Sequence, residues 1–308
     1  MSDQEHRFTN KAEALQYFND RGQEILAELE LEFGRSNPGK ITQALQPKIK
    51  ESRDALIRSV TQAALREKWP NEQMVNSVLL ISHAANVVML DFRNRVWPYD
   101  YMAFSRRVGE LWESFCGLCF HHTLRSNLVL EVPPLFSDVR KRLSNDLLAY
   151  IDKLPLTQPQ KNELIEYYRK VWLLVDAGEI KLELDMHIGI ENIHYNIDFK
   201  SGFGSNEKGN TNRLLVVASI YKNILGGAFS NLILVRSREE EGNHYLQTLK
   251  RSGLWEVLCG REAYAKIHEL TKVDLAQWID TNVNWKVDLS TETFEHLEGN
   301  DLIKYLEW

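Results

Sequence analysis

The sequence predicts a mixed α/β protein, with a central mixed sheet flanked by helices and an N-terminal helical region before it. Three observations carry this. Residues 180–200 alternate apolar and polar side chains with a period of two, broken once by a short polar stretch, which predicts a hairpin. Residues 231–236 and 254–259 are short continuous apolar runs between helical patterns, as strands covered on both faces are. Residues 10–100 carry helical spacing throughout. The resulting order is helix, hairpin, helix, strand, helix, strand, helix, a sheet with covering helices.

In the N-terminal region, Asn10 followed by Glu13 is a capping-box signature, and Ala14, Leu15, Phe18, Ile25, Leu26, Leu29 and Phe33 follow at mostly helical spacing. Residues 34–39, with two glycines and a proline, break that helix. A second runs from about Ile41 to Lys68, with Pro47 as a point of interruption. After Trp69-Pro70-Asn71 comes the longest apolar run, residues 74–92. It contains Asn76, His83 and Asn86, so it reads as a buried helix and not a membrane span. Val96-Trp97-Pro98-Tyr99 ends the block.

A further helix covers about Ala103 to His122, with Val108, Leu111, Trp112, Phe115, Leu118 and Cys119 as its apolar stripe. Glu113 lies on the other side, where it is either solvated or a further ligand for metal or water. Cys116 and Cys119 form a lone Cys-x-x-Cys in an apolar run and read as core thiols, with a zinc or redox site as the alternative. Beyond Pro133-Pro134 another helix carries three consecutive basic residues, Arg140, Lys141 and Arg142, either a solvated face or a phosphate contact. A helix at about 160–175 leads through Asp176 and Gly178 into the hairpin.

In the hairpin, Ile180, Leu182, Leu184, Met186 and Ile188 alternate with Lys181, Glu183, Asp185 and His187. Tyr195, Ile197 and Phe199 then alternate with His194, Asn196, Asp198 and Lys200. The apolar faces go to a core, and Glu183, Asp185, Asp198 and Lys200 share the other surface. A two-residue turn at Glu191-Asn192 sets Asp185 opposite Asp198 and Glu183 opposite Lys200. A four-residue loop instead sets Glu183 opposite Asp198. Opposed carboxylates repel, and a bridging divalent cation is the simplest reason to place them there.

Residues 201–212 form a long glycine- and asparagine-rich loop that enters a helix at Arg213. Its glycines do not fit a phosphate-binding P-loop. Asn206, Glu207, Lys208, Asn210, Asn212 and Arg213 offer donors and acceptors suited to base edges or phosphates, the alternative being a flexible surface loop. Gly226-Gly227 ends that helix. Helices at about 239–251 and 263–282 follow, and residues 285–308 read as a peripheral tail anchored by Trp285 and Trp308.

At 308 residues the chain can bury a sizeable core, and 44% hydrophobic with 26% charged residues is ordinary globular composition. The net charge of −6 provides no global field for nucleic acid, so any such contact needs a local basic surface. Three cysteines make no disulfide framework, and the polar, acidic first residues carry no signal-peptide pattern, so a cytoplasmic location is expected.

A carboxylate on one hairpin strand, then Asp-x-Lys on the next, within this order of helices and strands, resembles the PD-(D/E)xK nuclease superfamily. Asp185 with Asp198-Phe199-Lys200 fits its spacing, and the helix with Glu110 and Glu113 looks like its first core helix, which often lends a glutamate. Leu184 stands where the family name has proline, a departure the family tolerates. The resemblance spans roughly residues 103–280, and a helical extension before it is similar to many type II restriction endonucleases. It implies an αβββαβ core over 103–284, with 1–102 as the helical region and 285–308 as a tail packed on the core. It further implies Mg²⁺ held by Asp185, Asp198 and the Phe199 carbonyl, with Lys200 acting on the attacking water and Glu183 or Glu113 completing the site. Double-stranded DNA would be the substrate of a homodimer, with no membrane partner. Two other readings use the same residues: a non-catalytic DNA-binding or scaffold protein, and a metal-dependent hydrolase of small phosphate esters.

Overall fold

Asn10 starts the first helix, its side chain accepting from Glu13 N at 2.9 Å. Helix α1, Lys11–Phe33, ends where Gly34, at φ 74°, donates to Glu30 O. The computed structural model describes residue 8 and residues 10–175, 180–204, 207–225 and 228–308. The glycine stop at 226–227 and the link at 176–178 lie outside the described residues. The chain divides into two compact units, Met1–Ser126 with Cys259–Trp308, and Asn127–Leu258.

In the first unit α2, Pro38–Glu67, continues through Pro47 without a break. Helix α3, Asn71–Val96, is long and apolar enough to cross a bilayer, yet its side chains are buried within the unit, where it packs against α1, α2 and α4, Tyr101–His121. The approach of α1 to α3 needs Gly22, because a Cβ there would lie 2.8 Å from Val88 Cγ1. The helix expected over 263–282 is two: α9, Arg261–Thr271, and α10, Leu275–Asn282. Lys272 takes a left-handed conformation at φ 65°, and Asp274 caps the new helix by accepting from Gln277 N. The segment after 284 is not peripheral. It forms α11, Trp285–Asp288, and α12, Thr291–Gly299, and it buries Trp285, Leu289, Leu297, Leu302 and Leu306 in the same core as α1–α4. Asp91 of α3 holds it by accepting from Ser290 N and Oγ.

The second unit is built on a mixed sheet: β1 Leu128–Leu130, β2 Met186–Ile190, β3 Ile193–Lys200, β4 Phe229–Val235 and β5 Glu256–Cys259, in that spatial order. Strands β1, β2 and β3 pair antiparallel, and β3 pairs β4 in parallel. Between β1 and β2 run α5, Phe136–Lys153, and α6, Gln158–Val175. Helix α7, Lys208–Ile220, passes through a π-turn at Tyr221–Leu225 and returns the chain to β4. A 3-10 turn at Glu239–Glu241 and α8, His244–Arg251, precede β5.

The hairpin has the two-residue turn: Ile190 pairs Ile193 and His187 pairs Asn196, with Glu191 in the left-handed region at φ 57°. Two expectations need correction. The first strand begins at Met186, six residues later than its alternation suggests, and residues 181–184 run irregularly even though Leu182 and Leu184 are buried. The polar face of the hairpin is also not a solvated surface: His187, Asn196 and Asp198 are buried beside Ile197 and Phe199. Strand β3 sits between two neighbours, and a strand paired in parallel is covered on both faces.

That burial is made tolerable by one continuous row of hydrogen bonds. Leu184 N donates to His187 Nε2 at 2.9 Å, so Nδ1 carries the ring proton and donates to Asn196 Oδ1 at 2.9 Å. Asn196 Nδ2 donates to Asn231 Oδ1 at 2.9 Å, and Asn231 Nδ2 to Leu254 O at 3.2 Å. The row pins β2, β3 and β4 in register, because a one-residue slip would leave every member unpaired.

Candidate active site

Extending the hairpin register by one step beyond β2 brings Asp185 beside Asp198. Asp185 Oδ2 accepts from Phe199 N at 2.7 Å, which fixes the carboxylate against the last turn of the β3 pleat. Asp198 itself is 1% exposed. Lys200 Nζ lies 2.6 Å from its Oδ1, and Arg213 Nη2 lies 3.4 Å from its Oδ2. Two carboxylates, one lysine and one arginine therefore meet at the C-terminal end of β3.

The electrostatics follow from that crowding. Asp185 is exposed at one side, yet crowding around its carboxyl, and then repulsion from Asp198, push its pKa up from the ordinary value, and the Phe199 N–H, Lys200 and Arg213 only partly offset this. Asp198 Oδ1 is buried with no hydrogen-bond donor among the described residues, so its contact with the Lys200 ammonium is ionic. Two neighbouring carboxylates, one of them with its charge disfavoured, offer the oxygen ligands that a hard dication takes, with Lys200 and Arg213 already beside Asp198. Among the described residues no three His, Cys, Asp or Glu side chains form a metal-binding group.

Arg213 changes how the following loop reads. Helix α7 starts at Lys208, not at 213, so Asn210, Asn212 and Arg213 stand on its first turns. Asn210 Nδ2 donates to Glu207 Oε2 at 3.0 Å, Arg213 Nε reaches Asn210 Oδ1 at 3.5 Å, and Arg213 Nη1 donates to Glu183 O at 3.3 Å. Glu207, Asn210 and Arg213 are thus a chain of side chains leading to Asp198 and not a free set of base readers. Lys208 and Asn212 are exposed, and Asn206 lies outside the described residues.

The other candidates are dispersed. Glu183 is exposed and contributes its carbonyl to Arg213. Glu113 is on α4 in the first unit, half-buried, where after burial and Cys119 it helps push up the Cys116 thiol. Arg140 is half-buried on α5; Lys141 and Arg142 are exposed there, Arg142 Nε 3.9 Å from Asp146 Oδ2. The residues missed by sequence reasoning are Asn231 and the pairing role of His187 and Asn196. An Asn heading an apolar run was their one signal, since buried amides need partners.

Comparison of the chain with protein-family models, with curated proteins and with solved structures found no match.

Proposed function

We propose that this chain is a Mg²⁺-dependent endonuclease acting on double-stranded DNA, of the type II restriction endonuclease kind and working as a homodimer. The observation that carries the reading is the meeting of Asp185 and Asp198 beside Lys200 at the end of β3. The strand arrangement supports it: β1, β2 and β3 are antiparallel neighbours and α7 leads to β4, parallel to β3, as an αβββαβ core would have them, although α5 and α6 stand between β1 and β2.

In this reading Asp185, Asp198 and the Phe199 carbonyl hold the cation. A Mg²⁺ ion held by these groups would supply Lewis-acid chemistry, polarising a phosphodiester and lowering the pKa of a water. Phe199 N–H keeps Asp185 turned toward Asp198 and so preorganises the pair. Lys200 supplies a positive charge and a proton donor where a phosphoryl oxygen gains charge. Arg213 neutralises the far oxygen of Asp198 and limits the repulsion between the carboxylates. Lys208 and Asn212 are the exposed groups nearest in sequence to contact the DNA backbone. Cutting both strands of a duplex calls for two such sites, hence the homodimer.

One observation favours a second reading. Asp198 already has two cations on it, which is what a purely structural buried charge requires. In that case the hairpin is a scaffold and the protein binds without cutting. Mn²⁺ titration by calorimetry separates the two: the nuclease reading expects saturable binding that Asp198→Asn abolishes, and the scaffold reading expects none.

A further inference from the structure

A cavity of about 830 Å³ opens in the helical unit, between α2, the C-terminal part of α3 and α4. Its lining is unusual for a chain of net charge −6, with Lys50, Arg53, Arg93, Arg106 and Arg107 set against a single carboxylate, Glu110. Glu110 is already shared, 2.9 Å from Arg106 Nε and 2.6 Å from Arg107 Nη1. Arg53 is buried and satisfied by Asp54 at 2.7 Å. Lys50 and Arg93 have no carboxylate at ion-pair distance among the described residues.

The donors are unfinished as well as unneutralised. Arg93 Nη1 and Arg107 Nε are buried without a hydrogen-bond partner among the described residues. The Arg93 guanidinium carbon lies 4.3 Å from the centre of the Tyr99 ring, a cation–π contact that restrains the side chain. The Tyr99 hydroxyl is pushed up to about 12 by burial and so remains a neutral O–H. Met89, Ala103 and Leu111 supply an apolar wall, and Gln43 and Gln46 supply amides. Buried arginine donors without acceptors cost stability, and that cost is recovered when an acceptor with several oxygens enters. The cavity is of the size that small organic ligands occupy.

We infer that this cavity is a binding site for a small molecule carrying two or more phosphate groups, the nucleoside polyphosphates being the class whose size and mixed polar and apolar character suit its walls. Arg93 would take phosphate oxygens in the fork geometry that guanidinium shares with phosphate, and Arg107, whose Nη1 and Nη2 are held by Glu110 and Gln46, would add a single bond from Nε, with Lys50 at the rim. The site lies wholly in the first unit and does not depend on the nuclease reading.

The test follows the melting temperature of the full chain with pyrophosphate, ATP or adenosine, all without divalent cations, against sodium chloride of equal ionic strength. Saturable stabilisation by pyrophosphate and ATP, and none by adenosine, is expected. Arg93→Gln and the surface variant Lys50→Ala should each weaken ATP binding by about tenfold or more. Lys50 is exposed, so its variant reports on binding even if Arg93→Gln melts early. A shift that sodium chloride reproduces, or one untouched by both variants, would overturn the proposal. Displacement of ATP by a short duplex oligonucleotide would also overturn it, by assigning the arginines to a nucleic-acid backbone.

Discussion

The carboxylate of Asp185 accepts a hydrogen bond from the backbone N–H of Phe199 at 2.7 Å, one residue past Asp198. That single bond ties an irregular stretch to the central strand and puts two carboxylates within repelling range of each other. Asp185→Asn keeps a carbonyl oxygen for the Phe199 N–H, whereas Asp185→Ala leaves that donor without its acceptor. The alanine variant should therefore lose about 1 kcal/mol of stability and the asparagine variant less. Both should lose Mn²⁺ binding, read by calorimetry beside thermal melts. Retained metal affinity in either would remove Asp185 from the ligand set.

The raised pKa of Asp185 has a direction that can be checked. Between its ordinary value of 3.8 and its raised value in the fold, the folded state binds more protons than the unfolded state. Its contribution to stability therefore falls as pH rises through that window. A cation needs the deprotonated form, so Mn²⁺ affinity should rise with pH over the same interval and binding should release protons. Calorimetry in two buffers of different ionisation enthalpy measures the release directly. An affinity flat across that interval would contradict the pairing of the carboxylates.

The row Leu184–His187–Asn196–Asn231–Leu254 predicts a fold sensitivity far larger than its exposure in the sequence suggested. Asn196→Ala leaves His187 and Asn231 each short of a partner in a buried setting, a loss of about 2–4 kcal/mol. His187 is held neutral, its pKa lowered mainly by burial, so the unfolded chain takes up a proton first as pH drops below 6.5. Stability should decline through that range, and His187→Gln should flatten the decline. Denaturant midpoints on either side of 6.5 would show it, and an unchanged slope in the variant would exclude His187 as the cause.

Arg213 shares Asp198 with Lys200, and its removal changes the charge that a cation meets. Arg213→Ala should raise Mn²⁺ affinity by roughly fivefold, about 1 kcal/mol, while lowering thermal stability by a similar amount. Arg213→Lys should fall between. Equal affinities in all three proteins would mean that Arg213 does not bear on the carboxylate pair.

Much of this architecture was legible because local rules and packing agreed. Asn10 and Gly34 bound α1 as their chemistry suggests, and the alternation on either side of Glu191-Asn192 gave the hairpin, with the turn length the only choice left open. The failures have physical causes. Strand β1 is three residues long in a stretch with little periodicity, so pairing with β2 and not composition defines it. Helix α7 begins through Gly209, Asn210 and Asn212 because Asn210 and Arg213 are recruited toward Glu207 and Asp198. The break at Lys272 contains neither glycine nor proline, and only the tertiary packing of α9 and α10 calls for it. The candidate site was half legible: the Asp-x-Lys stood out, but the arginine beside it stood at the expected start of the next helix, where it read as a contact for base edges or phosphates.

Cleavage of plasmid DNA with Mg²⁺, wild type beside Asp198→Asn and Lys200→Ala, tests the central claim most directly. The nuclease reading predicts discrete fragments from the wild type and at least about a hundredfold slower cutting by either variant. Intact plasmid across Mg²⁺ and Mn²⁺ on several unmethylated substrates, or equal cutting by all three proteins, would contradict it.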